Sequence, residues 1–187
     1  MLKLGGSGLL MLTLLLGCVH TTAMAMDRTQ HSSWFSGALK DRLADGSVLT
    51  EYYGESASYT DSGVVFRVGF IPRFGCAPLI TLKATIAPTD KRDRARNKSD
   101  FENTRVFIDG LPVRFPVVID EDRGKLSVYM NAALQRRITM RLKLDAASKM
   151  SVETRAGEQF EFSLLGSAAA MANAQLHCRQ HNPTAQQ

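Results

Sequence analysis

The sequence predicts a mainly β protein: an antiparallel β-sandwich or twisted sheet of about eight short strands, with a C-terminal α-helix tied back by a disulfide. Short segments rich in β-branched and aromatic residues alternate apolar with polar side chains, which is typical of half-buried strands. Turn signals separate these segments. Predicted strands do not alternate with predicted helices along the chain, so a parallel sheet is not expected. Of the 187 residues, 44% are hydrophobic and 22% are charged, which excludes a disordered chain.

The start of the chain is predicted to be an export signal rather than part of the domain. Lys3 precedes an apolar run, Leu9–Leu16, that is too short to span a bilayer as a mature helix. Ala23–Ala25 is a small-residue cleavage signal. This interpretation makes residues 1–25 a signal peptide and leaves one β-rich domain, 26–187, that is periplasmic or secreted.

A lipoprotein signal over residues 1–17 is the alternative. Leu15–Cys18 resembles a bacterial lipobox, although Leu16 fits that motif imperfectly. In this interpretation Cys18 carries lipid, and the protein is anchored to a membrane. No later segment is apolar and long enough to predict a transmembrane helix in the mature chain.

The first half of the domain begins at Trp34, the single tryptophan, which we interpret as a core or edge plug after a loose lead-in. Val48–Tyr53 is predicted to be a short strand, followed by a polar loop over 54–63. Val64–Phe70 and Leu79–Ile86 show the clearest period of two in this half, so both are predicted strands.

The middle of the domain is predicted to contain a hairpin. Thr104–Ile108 reads as a strand, and Asp109-Gly110 is a dipeptide typical of two-residue hairpin turns. Val113–Ile119 follows as an edge strand or bulge because it contains Pro116. After a turn over Asp120–Gly124, the next strand is predicted at Lys125–Met130.

Three further strands and a helix complete the domain, and the second of these strands, Met150–Thr154, is short. Ile138–Leu144 is the most regular predicted strand, with its apolar residues at alternate positions pointing inward. Phe160–Leu164 is the last strand. Gly166 ends it, and Ser167 is the predicted N-cap of an alanine-rich helix that ends before Pro183.

The cysteines predict one disulfide. Under either interpretation of the leader, Cys76 and Cys178 are the only available pair. An even pair in an exported chain is more often bonded than free, although two buried thiols are the alternative. Closing a loop of this length contributes about 4–5 kcal/mol in the chain-entropy model.

Positive charge is concentrated in one loop. The whole chain has a net charge of +5, of which Lys3 contributes one unit. The segment 91–98 alone has a net charge of +4, equal to that of the chain from Met26 onward. Its cations are Lys91, Arg92, Arg94, Arg96 and Lys98. We hypothesise that they meet an anionic partner, such as lipid headgroups or an acidic protein, while a solubilising hairpin tip is the alternative. Nucleic acid is not expected because of the leader.

Residues for catalysis are sparse. His31 lies near the start of the domain, and His177 and His181 lie in the tail, so no catalytic residue and no cofactor is predicted. His177 and His181 are weak candidates for metal ligands, because a spacing of four places both on one helix face. A solvated helix end is the alternative interpretation.

The order of several motifs resembles known envelope proteins. Trp34, the mid-chain Cys76, Arg105–Gly110 and the closing stretch Phe162–Cys178 occur in that order. This pattern resembles small secreted bacterial proteins of the invasion-associated locus B type and periplasmic accessory proteins of type VI secretion. The chain departs from the former because no cysteine closely follows Trp34. The resemblance implies a β-sandwich envelope protein that acts through contacts rather than chemistry.

Two function classes follow from these observations. The first is a non-enzymatic binding or accessory protein of the cell envelope, within a secretion or host-interaction system. The second is a metal-dependent or enzymatic envelope factor that uses His177 and His181. The partner of the protein is expected to be another envelope protein or an anionic surface.

Overall fold

The computed structural model describes most of the predicted domain. It covers residues 28–43, 45–61, 63–85, 98–122 and 125–182. The leader, with Cys18 and both cleavage signals, lies outside the described residues, as do residues 91–97 of the basic segment.

Within the described residues the chain forms eleven strands and three α-helices, so the predicted fold class is confirmed. The strands are β1 (Thr29–His31), β2 (Trp34–Arg42), β3 (Val48–Ala57), β4 (Val64–Phe70), β5 (Pro78–Thr85), β6 (Arg105–Ile108), β7 (Leu111–Val113), β8 (Val117–Asp122), β9 (Lys125–Met130), β10 (Lys149–Glu153) and β11 (Gln159–Ser163). The helices are α1 (Lys98–Phe101), α2 (Leu134–Ala146) and α3 (Ser167–Gln180), and Pro72–Phe74 forms a 3-10 turn.

The strands form two antiparallel sheets. The larger sheet has the order β1-β2-β3-β4-β5-β9-β8, and the smaller has the order β11-β10-β6-β7. The hairpin predicted at Asp109-Gly110 is confirmed, since these two residues join β6 to β7. Their φ angles of 47° and 79° are both positive, as a two-residue turn of this type requires.

The core lies between the two sheets. Alternate side chains of β4 face inward, and Phe66 packs against Phe162 of β11 with ring centroids 5.9 Å apart. Trp34 is fully buried beside them, 6.1 Å from the Phe66 ring. Its indole Nε1 donates a hydrogen bond to the carbonyl of Ser163 at 2.7 Å. The interpretation of Trp34 as a core residue is therefore confirmed.

The helix α3 covers the larger sheet where β1, β2, β3 and β4 present their inner face. Ala170, Met171 and Ala174 form its buried side. Gly54 of β3 permits the close approach, because a Cβ there would lie 3.2 Å from the backbone nitrogen of Met171. Small residues on both elements therefore set the distance between helix and sheet.

The start of α3 differs from the prediction. Gly166, with φ of 90°, is the N-cap, and Ser167 is the first helical residue. The Ser167 hydroxyl does not cap the helix but donates to the carbonyl of Leu144 at 3.0 Å. The hydroxyl therefore fastens α3 to the end of α2.

The strand predicted at Ile138–Leu144 is wrong, since this segment lies inside α2. Leucine, methionine, arginine and lysine favour helix, and a spacing of four places Met140 and Leu144 on one buried side. The neighbouring Leu142 is exposed. The alternation of apolar residues thus belongs to two separate stripes of a helix.

Several other boundaries also differ from the predictions. The strand β3 continues to Ala57, through what was predicted to be a polar loop, and the lead-in contains β1. The segment Val113–Ile119 divides at Pro116 between β7 and β8, and β8 continues to Asp122. Polar residues continue these strands because pairing with a neighbour satisfies their backbone hydrogen bonds.

The predicted disulfide between Cys76 and Cys178 is confirmed. The two Cα atoms lie 5.9 Å apart, and the bond joins residues that are 102 positions apart in the sequence. Cys76 follows the 3-10 turn, while Cys178 lies in the last turns of α3. The bond therefore fixes the end of α3 to the segment between β4 and β5.

Removing the disulfide should destabilise the fold strongly. We expect the double variant Cys76→Ala/Cys178→Ala to lose about 4 kcal/mol of unfolding free energy, because its unfolded chain regains the entropy of a long open loop. Urea denaturation of the variant and of the oxidised protein measures this difference. Equal unfolding free energies in the two proteins would contradict the expectation.

A matched pair of glycine substitutions tests the junction between β1 and α3. Gly157 and Gly166 both have positive φ, but only at Gly166 would a Cβ collide with the backbone carbonyl of His31. We expect Gly157→Ala to cost about 1–2 kcal/mol from backbone strain alone. Gly166→Ala should cost about 3 kcal/mol or more, because the backbone itself must move. Thermal and urea unfolding compare the two, and similar losses would show that the junction yields easily.

Candidate functional site

The two tail histidines lie on an aromatic side chain of the sheet. Tyr52 of β3 is buried beneath the end of α3. The His181 ring stacks on it at 5.4 Å between centroids with 25° between planes, and His177 stacks at 6.4 Å and 15°. The predicted shared face of the histidines is thus real, but that face contacts Tyr52.

The hydrogen bond of His181 fixes the position of its proton. The ring nitrogen Nδ1 lies 2.8 Å from the backbone carbonyl of His177. A carbonyl only accepts hydrogen bonds, so Nδ1 carries the hydrogen. The second nitrogen, Nε2, is therefore the one that accepts a proton or binds a ligand when the ring is neutral.

A cleft of about 330 Å³ opens beside His181, at the end of α3. Its walls are the β2–β3 hairpin and the 3-10 turn. Two cations, Lys40 and Arg73, line it together with His181, while Leu49 and Ile71 supply apolar surface. Among the described residues that line the cleft, none is a carboxylate. The cleft therefore combines positive charge with an apolar and aromatic floor.

One carboxylate lies near the cleft, at the tip of the hairpin. Asp45 accepts hydrogen bonds from the hydroxyl and backbone amide of Ser47, at 2.6 and 2.9 Å. These bonds hold the pKa of Asp45 below its ordinary value, and the charge of Arg73 adds a smaller effect. The guanidinium of Arg73, which also lines the cleft, lies over the Phe74 ring, 4.8 Å from its centroid.

The disulfide ties one wall of this cleft, the 3-10 turn, to the end of α3. Arg73 precedes Cys76 by three residues, and His181 follows Cys178 by three. The backbone amide of Cys76 donates to the carbonyl of Ile71 at 3.1 Å, which closes the turn between Arg73 and the disulfide. The covalent bond thus sets the distance between the cation on the turn and the imidazole on the helix.

The remaining site predictions concern metal binding and the basic segment. In the described part of the chain, no group of three or more histidine, cysteine or acidic side chains is placed to hold a metal ion. The basic-segment residues Lys91, Arg92, Arg94 and Arg96 lie outside the described residues. Lys98 begins α1.

A charge network on the opposite face of the sheet was not predicted. Glu55 of β3 pairs directly with Arg67 of β4 in the sheet register. The Arg67 guanidinium donates to the Glu55 carboxylate at 2.6 and 3.0 Å, and to Glu51 at 3.4 Å. Arg28 also donates to Glu55, at 3.0 Å. These side chains project away from α3, since the neighbouring Gly54 faces that helix.

The network is largely shielded from solvent. The side chains of Arg67 and Glu55 are 9% and 11% exposed. Burial raises the pKa of Tyr53, whose ring lies 4.2 Å beneath the Arg67 guanidinium. Burial also lowers the pKa of Lys83, with the charge of Arg67 acting in the same direction. The charged side chains of Arg67 and Glu55 have little contact with water, so each is stabilised mainly by its charged neighbours.

Few features of the sequence indicate this network. Glu51 and Glu55 share one face of β3, and Arg67 interrupts an apolar strand, but only the register of β3 with β4 brings them together. A period-two pattern assigns such residues to the outer face and leaves their partners open.

Breaking the network should destabilise the protein. Arg67→Met leaves Glu51 and Glu55 without their shared cation, and we expect a loss of about 3–5 kcal/mol in unfolding free energy. The matched control is Arg105→Met, because Arg105 pairs with Glu153 at an exposed position. That change should cost less than about 1 kcal/mol. Urea denaturation at neutral pH measures both, and equal losses would show that the Arg67 pair is no stronger than a surface pair.

No helix within the described residues has the length and apolar character needed to cross a membrane.

The features that distinguish the protein are the cationic cleft at the end of α3, the charge network on the outer face of the larger sheet, and the disulfide. Comparison with protein-family models, curated proteins and solved structures finds no match to the chain.

Proposed function

We propose that the protein is a non-enzymatic binding or accessory protein of the bacterial cell envelope. The observation that carries this proposal is the cleft between the β2–β3 hairpin and the end of α3. The predicted export signal and the Cys76–Cys178 disulfide support an oxidising compartment outside the cytoplasm, where such bonds persist. Cleavage after Ala25 and lipidation of Cys18 remain the two routes to that location.

The lining of the cleft supports recognition of an anionic group on an apolar body. Lys40 and Arg73 supply donors and positive charge, and Arg73 has the planar guanidinium that matches a carboxylate or phosphate. Tyr52 and Ile71 form a floor for an apolar or aromatic part of the ligand. Ligand sites commonly combine a largely apolar lining with a few polar groups in this way.

We base the non-enzymatic part of the proposal on the contacts of His181. Within the described residues its side chain hydrogen-bonds the carbonyl of His177. Nucleophilic catalysis needs an imidazole paired with a hydroxyl or thiol and held by a further group. The lining of the cleft contains the hydroxyl of Thr50 but neither a serine nor a cysteine.

The metal-dependent alternative is favoured by one observation. Histidines that bind metals usually donate their other ring nitrogen to a carbonyl or carboxylate, as His181 does to His177. This arrangement leaves Nε2 of His181 as the ligand atom. A zinc titration therefore belongs beside the anion test.

The basic segment Lys91–Lys98 remains a second candidate contact for an anionic partner. It lies largely outside the described residues, so the cleft is the better defined surface. Membership of a secretion or host-interaction system is part of the same proposal, supported by the resemblance of Trp34, Cys76 and the closing stretch to such envelope proteins.

Binding of small anions tests the cleft. We expect phenyl phosphate and decanoate to bind the protein saturably and to shift the NMR resonances of the Tyr52 and His181 rings. Lys40→Ala/Arg73→Ala should weaken binding about tenfold or more, since it removes two charged donors. Isothermal calorimetry measures the affinities.

Arg114→Ala/Arg155→Ala is the control, because it removes the same charge from exposed positions elsewhere. Unchanged affinity in the Lys40/Arg73 variant, or equal weakening in both variants, would contradict the proposal. Tight zinc binding that is lost in His177→Gln/His181→Gln would favour the metal-dependent alternative.

A further inference from the structure

The strand β2 has a free edge along its second half. On one side β1 pairs with only the first three residues of β2. From Gly37 to Arg42, β2 therefore has no described strand on that side. On its other side β2 pairs with β3 from Phe35 to Arg42. The second half of β2 is thus held in the sheet by one neighbour and is open to another.

The register identifies the backbone groups at this edge. Just beyond β2, the amide of Leu43 donates to the carbonyl of Ser47 at 2.8 Å, in the same register as the pairs between β2 and β3. Hydrogen-bonded pairs alternate along antiparallel strands, so odd-numbered residues of β2 bond to β3 and even-numbered residues point away. The N–H and C=O groups of Lys40 and Arg42 therefore face the open edge. Within the described residues no hydrogen bond reaches them there.

Other edges of the two sheets are less suited to an added strand. Carbonyls of β11 accept hydrogen bonds from the Tyr59 amide, the Thr60 hydroxyl and the Trp34 indole. The β7 edge contains Pro112, which has no N–H to donate. The β8 edge lies at the opposite end of the larger sheet, where α1 contacts it. Among these edges, that of β2 is the one beside the cleft, which Lys40 lines.

The side chains at the free edge of β2 divide by charge between its two faces. Lys40 lines the cleft, and Arg42 lies on the same face because it is two residues further along the strand. Both are exposed, and their cross-strand neighbours on β3 are uncharged. The opposite face carries the half-buried Leu39 and the exposed Asp41. An added strand is therefore favoured when its acidic side chains lie on the cleft face and its apolar side chains on the other.

We propose that β2 and the cleft together bind an extended acidic segment of a partner protein, which adds to the larger sheet antiparallel to β2. This inference rests on the proposed function, because it names the partner of the same cleft. The backbone of the segment pairs with Lys40 and Arg42. Its acidic side chains alternate along the face of these two cations, and one of them enters the cleft between Lys40 and Arg73. In this mode of recognition, main-chain hydrogen bonds give affinity and alternate side chains give specificity.

A protein segment matches this edge more completely than a small anion or a lipid surface. All three offer negative charge to Lys40 and Arg73. Only an extended polypeptide also offers N–H and C=O groups at the spacing of the free groups of β2. Unpaired groups of this kind are templates for pairing with another chain.

Synthetic peptides test the proposal with the full chain in its oxidised form. The first peptide alternates glutamate with valine, so its glutamates share one face. The matched control has the same composition in two blocks, one of glutamates and one of valines. We expect isothermal calorimetry to show at least about tenfold tighter binding of the alternating peptide. Alternation alone places the acids beside Lys40 and Arg42 and a valine beside Leu39.

Methylation of the peptide backbone separates strand addition from charge attraction, with the protein unchanged. In an antiparallel strand whose glutamates face the cleft, the glutamate amides point at β2 and the valine amides point away. N-methylation of the glutamates should weaken binding at least about tenfold, because it removes donors and obstructs the approach to β2. N-methylation of the valines should change binding less than about threefold. Equal effects of the two methylations would overturn the proposal.

Substitutions in β2 locate the contact. Lys40→Gln/Arg42→Gln should weaken binding of the alternating peptide about five- to tenfold. Arg42→Pro removes an edge N–H together with the charge, at a position where an edge strand tolerates proline. It should weaken binding about fivefold more than Arg42→Gln, which keeps the N–H. Equal binding by these two variants would show that the edge N–H is not used, and would count against strand addition.

Hydrogen exchange measured by NMR tests whether the edge is free. The amides of Lys40 and Arg42 should exchange rapidly in the protein alone and slowly in the complex with the alternating peptide. Protection of both amides before any peptide is added, by another part of the chain or by a second copy, would overturn the proposal.

Phenyl phosphate distinguishes this inference from the proposal for the cleft itself. Saturable binding of phenyl phosphate, together with equal affinities for the alternating and block peptides, would overturn strand addition and leave the anion-binding cleft standing. Absence of binding by phenyl phosphate and by both peptides would contradict both proposals.

Discussion

The covalent bond between Cys76 and Cys178 is the constraint on which the rest of the structure depends. Seven of the strands described, β5 to β11, and the helices α1 and α2 lie within the loop that it closes. The last helix packs on strands that precede this loop. The buried side of α3 consists of small residues and one methionine: Ser167, Ala170, Met171, Ala174 and Cys178. The disulfide stabilises the fold by lowering the entropy of the unfolded chain, and this effect adds to the packing of α3 on the sheet.

The two faces of the larger sheet bury different kinds of side chain. Its inner face buries apolar rings, including Phe66 and the indole of Trp34, against the smaller sheet. Its outer face buries charge, in the group formed by Glu51, Glu55 and Arg67. A paired buried charge adds little net stability, but removing one member leaves the others unsolvated. The inner face therefore drives folding, while the outer face penalises any register that separates β3 from β4.

Local patterns predicted the parts of the fold that depend on nearby residues. Asp109-Gly110 specified its hairpin because both residues tolerate positive φ, and the cysteine pair had no competing partner. The helix α2 was missed because Ile138–Leu144 satisfies a period of two and a spacing of four equally well. Helix propensity and burial decide between them, and burial depends on β5, which is distant in sequence. The cleft was missed for the same reason, since Tyr52 and His181 meet only after α3 docks on β3.

The helix α2 and the proposed binding cleft are connected through α3. The contacts of α2 with α3, through Leu144 with Ser167 and Arg141 with Gln175, make the two helices one unit. The far end of α3 then carries His181 to the cleft, where the disulfide fixes it against the turn that bears Arg73. The disulfide and the contacts between α2 and α3 therefore hold the residues that line the cleft in one arrangement.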